Sequence, residues 1–138
     1  MRKLLRRWGE LTAIERMLLR RAVIASIVAR IALIVVPWKR LAERRTPTRS
    51  SAITAPAAIT LVRWATEVCA RRIPFQTCLS SALVARELLA FLGMQSTIEV
   101  GSYLDERGAI AFHASVTSGS MTICGERPMT VLASITSS

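Results

Sequence analysis

Thr77-Cys78-Leu79-Ser80-Ser81-Ala82-Leu83-Val84-Ala85-Arg86-Glu87-Leu88-Leu89-Ala90-Phe91-Leu92-Gly93 is the stretch on which the fold turns. Leu79, Leu83, Val84, Leu88, Leu89 and Phe91 recur at three- and four-residue steps, which is a helical period. Gly93 stands where a left-handed residue ends a helix. The helix therefore opens near Thr77, with Cys78 in its first turn. Beyond Gly93 the character changes: Ser96–Leu104, Ala109–Val116 and Met121–Cys124 are short and rich in Ile, Val, Thr and aromatic residues. Asp105-Glu106-Arg107-Gly108 and Ser118-Gly119 separate them as turns. Helices followed by a three-stranded antiparallel meander define an α+β layout.

Upstream, Ile59, Val62, Trp64, Ala65, Val68 and Cys69 predict a further helix from Pro56 to about Arg72, closed by Ile73-Pro74. Thr12-Ala13-Ile14-Glu15 has the spacing at which hydroxyl and carboxylate satisfy each other's first-turn amides. From there Leu18, Leu19, Ala22, Val23, Ser26, Ile27, Arg30, Ile31 and Ile34 carry one long helix to about Val35, before Pro37. Arg2-Lys3-Leu4-Leu5-Arg6-Arg7-Trp8 reads as a short helix ahead of it. Residues 44–51 are polar, aperiodic and contain Pro47, so they are the expected linker between a basic helical region, 1–50, and a domain over 51–138.

The chain has 138 residues, 51% of them apolar and 20% charged, with a formal net charge of +10. That apolar fraction excludes disorder as the main state. Residues 1–50 carry 13 of the 19 Lys and Arg and 3 of the 9 Asp and Glu, so the whole imbalance lies in the first region. Three cysteines, Cys69, Cys78 and Cys124, form an odd set without a CxxC pair, against a disulfide scaffold or a zinc site. Free thiols predict a reducing, cytoplasmic location. The apolar run Ala22–Val36 is 15 residues long and contains Arg30, short of the roughly 18–20 that a membrane span needs. A helix lying on a membrane surface or against a partner protein fits it better.

His113 is the sole histidine, in the second expected strand, sharing a face with the small Ala111 and Ser115. Cys78 follows the loop Ile73-Pro74-Phe75-Gln76-Thr77. At a helix start, unpaired amides and the positive end of the helix dipole favour a thiolate. Cys69 in a helix and Cys124 in a strand read as inert small hydrophobes. A thiol at a helix start followed by a strand histidine is an arrangement in which imidazole can take the thiol's proton.

Cys78-Leu79-Ser80-Ser81-Ala82-Leu83, then Leu88-Leu89 with Phe91-Leu92-Gly93-Met94, then Ile98-Glu99-Val100-Gly101, then Phe112-His113-Ala114-Ser115-Val116, resembles the transglutaminase-like leader peptidases of lasso-peptide biosynthesis, from Pro56 to about Ile123. The basic N-terminal helices are similar to those of the family's stand-alone members. The resemblance implies a papain-like arrangement, cysteine proteolysis without metal or cofactor, Cys78 as nucleophile and His113 as general base and acid. Gln76 is a candidate helper for the oxyanion. Two positions depart from the pattern: the usual Trp is Ser115, and no Asp follows His113. With Ser118-Gly119 as a two-residue turn, Cys124 is expected opposite His113, and the imidazole is oriented either by Glu126, the only later carboxylate, or by a backbone carbonyl. The implied partners are a precursor peptide, a separate leader-recognition protein and the ring-closing cyclase. The competing reading is a basic amphipathic adaptor for a membrane surface or partner, with a non-catalytic domain. Nucleic acid ranks lowest, because only Trp8 accompanies the first basic cluster. Transfer of the acyl group to an amine keeps the same Cys–His pair.

Overall fold

The computed structural model describes residues 9–45, 53–125 and 127–136. Among the described residues the helices α1 (Ala13–Val35), α2 (Trp38–Glu43), α3 (Ala55–Arg72) and α4 (Cys78–Phe91) precede a sheet of β1 (Thr97–Leu104), β2 (Ile110–Ser118), β3 (Met121–Cys124) and β4 (Thr130–Thr136). The mixed α+β architecture is as the sequence implies, with one strand more than expected.

Helix α1 opens where the capping pattern places it. The Glu15 amide donates to Thr12 Oγ1 at 3.3 Å and the Thr12 amide to Glu15 Oε2 at 2.7 Å, so two first-turn donors are satisfied reciprocally. Helix α3 carries Pro56 in its first turn and Arg71 and Arg72 in its last, where cations complement the carbonyl end. Helix α4 ends in a Schellman motif: the Gly93 amide donates to the Ala90 carbonyl at 3.0 Å and the Met94 amide to the Leu89 carbonyl at 2.9 Å, with Gly93 at φ 79°.

All strands are antiparallel, in the order β3-β2-β1-β4. The β1–β2 hairpin closes through Asp105, whose Oδ1 accepts from the Arg107 and Ala109 amides, both at 2.9 Å. Ile98 pairs with Val116 and Val100 with Ala114. With Ile123, these residues face the helices and join a core of Val62, Leu83, Val84, Leu88 and Leu89. Leu18, Leu19 and Ala22 of α1 belong to that same core. Farther along α1 only one side stays with the core, Ser26 buried and Ala25, Ala29 and Leu33 packed against it, while Ile27, Ile31 and Ile34, roughly half a turn around the helix from Leu18 at about 3.6 residues per turn, are exposed.

Strand β4 corrects the expected three-stranded sheet. Thr130-Val131-Leu132-Ala133-Ser134-Ile135-Thr136 lies beside β1, not beside the strand that precedes it in the chain. A five-residue connection, residues 125–129, carries it there. Met129 closes on Gly101, where a Cβ would meet the Met129 side chain and the Thr130 carbonyl. No short hairpin turn announces such a strand, so the sequence alone reads as a meander ending at Cys124.

Candidate active site

Cys78 is the first residue of α4, and the sequence around it fixes the local backbone. Thr77 is the N-cap: its Oγ1 accepts from the Ser80 amide at 3.2 Å, and Ser80 Oγ accepts from the Thr77 amide at 2.9 Å. Serine at this position takes the part usually played by Glu or Gln, which reach back to the cap amide. The Ser81 amide donates to the Thr77 carbonyl at 2.9 Å. The amides of Cys78 and Leu79 thus fall among the helix-start donors that lack an intrahelical partner. They are the donors positioned to hold an anion at the thiol.

The loop into the helix is held by two devices. Phe75 takes a left-handed φ of 64° with its ring in solvent, an uncommon conformation for a residue with a Cβ. Gln76 donates through Nε2 to Ser26 Oγ at 3.3 Å, and Ser26 Oγ donates to the Ala22 carbonyl at 2.7 Å. The Gln76 side chain therefore ties the approach to Cys78 onto α1, a different engagement from the one expected of an oxyanion helper. The same serine also hydrogen-bonds the Cys69 thiol. Burial pushes that thiol up from its ordinary value despite this bond.

His113 pairs with Gly101 across β1 and β2 and is half-buried. Its ring meets Tyr103 edge to face, with centroids 6.2 Å apart and planes at 89°, and the Arg127 guanidinium lies 4.6 Å above the Tyr103 ring. Tyr103 was not singled out by sequence reading, although the Asp105 turn sets it diagonally across from His113. Strand alternation gives His113 the face of Ala111 and Ser115, as expected, while Ala114 and Val116 are in the core.

Cys124 does not stand opposite His113. The observed pairs are Ser118 with Met121, Thr117 with Thr122, and Val116 with Cys124. Two causes add. The turn residues are Gly119-Ser120, with Gly119 at φ 59°, and a bulge between Val116 and Thr117 inserts one further residue on β3. Cys124 consequently shares the core-facing side with Val116 and lies within electrostatic reach of Cys78. Its thiol is pushed up to about 11, first by burial and further by the neighbouring Cys78, against the bond from the Val116 backbone.

The structure thus brings Cys78 to Cys124, and His113 to Tyr103. Among the described residues no hydrogen bond joins the Cys78 and His113 side chains. Val116, the partner of Cys124, is three residues along β2 from His113, roughly 10 Å at the rise of a strand. Glu126 lies outside the described residues. No group of three or more His, Cys, Asp and Glu among the described residues is placed to hold a metal ion, and none of their helices is long and apolar enough to cross a membrane.

A family model described as the transglutaminase-like superfamily matches residues 11–136. The chain belongs to that superfamily, and the match takes in α1 together with the Cys78 helix and the sheet. Comparison with curated proteins and with solved structures gives no match.

Proposed function

We propose that the protein is a cysteine peptidase that removes the leader from a lasso-peptide precursor. The observation carrying this reading is Cys78 at the first position of a box-capped helix inside a transglutaminase-like chain. The Cys78 thiolate attacks the carbonyl carbon joining leader to core, and the negative charge passes to the carbonyl oxygen. The Cys78 and Leu79 amides stabilise that oxyanion. The C–N bond then breaks, with His113 as the acid delivering the proton it took from the thiol to the departing amine. Water, deprotonated by His113, attacks the resulting thioester and releases the leader carboxylate and the free thiol. Glu126 is assigned the orientation of the imidazole, and the recognition protein and cyclase are the expected partners.

A second reading, an adaptor with a non-catalytic domain, is favoured by one observation: His113 packs on Tyr103 and is not hydrogen-bonded to Cys78. His113 also lies on the face of β2 opposite the one that carries Val116 and Cys124, so the peptidase reading requires a rearrangement larger than the tightening common in substrate complexes, and a reaction decides between the two. The full chain is incubated with precursor and recognition protein, and leader release is followed by mass. The peptidase reading expects release by the wild type and none by Cys78→Ala or His113→Ala. Release by either variant, or none by the wild type, overturns it. Glu126→Gln tests the third position by the same readout.

A further inference from the structure

A cavity of about 760 Å³ opens between α1, the end of α2 and α4, away from Cys78. Its lining is divided by chemistry. Ile24, Ala25, Val28 and Leu83 supply an apolar floor, and Arg16, Arg20, Arg21, Arg44, Arg45 and Arg86 supply cations. Glu87 is the one acidic residue among the lining residues, and it is engaged by Arg21 at 3.0 Å. With Arg21 held by Glu87 and Arg20 engaged as well, Arg16, Arg44, Arg45 and Arg86 carry the positive excess of the lining.

Arg86 is the most informative of these. It is 5% exposed, its Nη2 donates to the Arg44 carbonyl at 2.9 Å, and its Nε is buried with no hydrogen-bond partner. The Nε of Arg21 is orphaned in the same way, while its guanidinium stacks 4.0 Å from the centre of the Phe91 ring. Burying a charge with unmet donors is costly unless an opposite charge joins it. Burial lowers the Arg86 guanidinium below its ordinary value, and the Glu87 carboxylate opposes this.

We propose that this groove binds an acidic, leucine-rich peptide segment, whose carboxylates pair with the arginines while its aliphatic side chains cover Ile24 and Val28. The volume is of the size that holds a ligand or a few peptide side chains, roughly 300–1,000 Å³. Planar guanidinium groups suit carboxylates bidentately. The apolar floor separates this surface from a simple phosphate site, and its concavity separates it from a flat membrane-binding face. The binding chemistry stands by itself. Only the source of the peptide, the precursor or the protein that carries it, rests on the peptidase reading.

The test uses the full chain bearing Cys78→Ala, so that binding is measured without cleavage. A fluorescein-labelled peptide of alternating Glu and Leu is titrated by anisotropy at low salt, beside the matching Gln and Leu peptide. The Glu peptide is expected to bind at least about tenfold more tightly. Adding Arg16→Glu with Arg45→Glu should remove that preference. Adding Arg72→Glu with Arg107→Glu, the same charge change at positions that do not line the cavity, should preserve it. Equal binding of the two peptides, or an unchanged preference after Arg16→Glu with Arg45→Glu, overturns the proposal. Displacement of the peptide by phosphatidylglycerol vesicles or inorganic phosphate at lower concentration than by unlabelled peptide also overturns it, in favour of a lipid or phosphate site. Thermal unfolding by circular dichroism confirms that each variant is folded. Since cleavage is never measured, failure of the peptidase reading does not mimic failure here.

Discussion

Three thiols in one small chain have three fates, and burial decides them. Cys69 is 1% exposed, Cys124 is held protonated by its surroundings, and Cys78 is half-buried at a helix start. Alkylation by iodoacetamide at neutral pH should therefore mark Cys78 first, with Cys69 and Cys124 slower by roughly tenfold or more; peptide mapping by mass reads the order. A raised thiol value in the folded state also links stability to alkali. The unfolded thiol ionises first, so stability is intact below about 9 and declines as pH rises towards 11, by up to the order of 2 kcal/mol. Thermal melts across that range should show the decline, and Cys124→Ala should lessen it, leaving the part that the buried Cys69 thiol contributes in the same direction. The distinct standing of Cys78 is legible from the Thr77 cap pattern. The neighbourhood of Cys124 is not, because a single bulge residue reverses the face of every side chain after it.

At the scale of elements, the helices follow from sequence because their determinants are local. Apolar spacing, the Thr12 and Thr77 caps, Pro56, Pro74 and Gly93 all act within a few residues of where they stand. The cap at Thr77 does more than start a helix, since it orients the turn that presents Cys78. Thr77→Ala should cost about 1 kcal/mol in urea unfolding and lower any Cys78-dependent rate, whereas Thr77→Ser should restore both. An alanine variant as stable and as active as the wild type would show that the cap is dispensable. Strand β4 and both register shifts escaped the sequence because their determinants are distant. Thr130–Thr136 pairs with Thr97–Ser102 across the whole intervening hairpin and β3.

For the molecule as a whole, the basic first third is partly foundation and partly surface. Leu18 is fully buried against α3 and α4, while Ile34 on the same helix is 80% exposed. Leu18→Ala should cost about 2–5 kcal/mol, and Ile34→Asp should stay within about 0.5 kcal/mol, as chemical denaturation will show. Because Leu18, Leu19 and Ala22 belong to the core, a docking role for α1 is tested by substitutions on its exposed side, not by its removal. The sequence's charge asymmetry marks this region but does not say which of its apolar residues are core, because Leu18 and Ala22 on one side of α1 and Ile27, Ile31 and Ile34 on the other recur at the same three- and four-residue steps. The placement of β4 also bears on how the molecule is made. Its partners in β1 lie 28 to 39 residues earlier in the chain, and until β4 has left the ribosome that edge of β1 has nothing to pair with. During synthesis that edge is an open template for other nascent chains. Distant pairing of this kind forms late, so the time between translation of β1 and of β4 sets the interval in which this protein is most prone to aggregate.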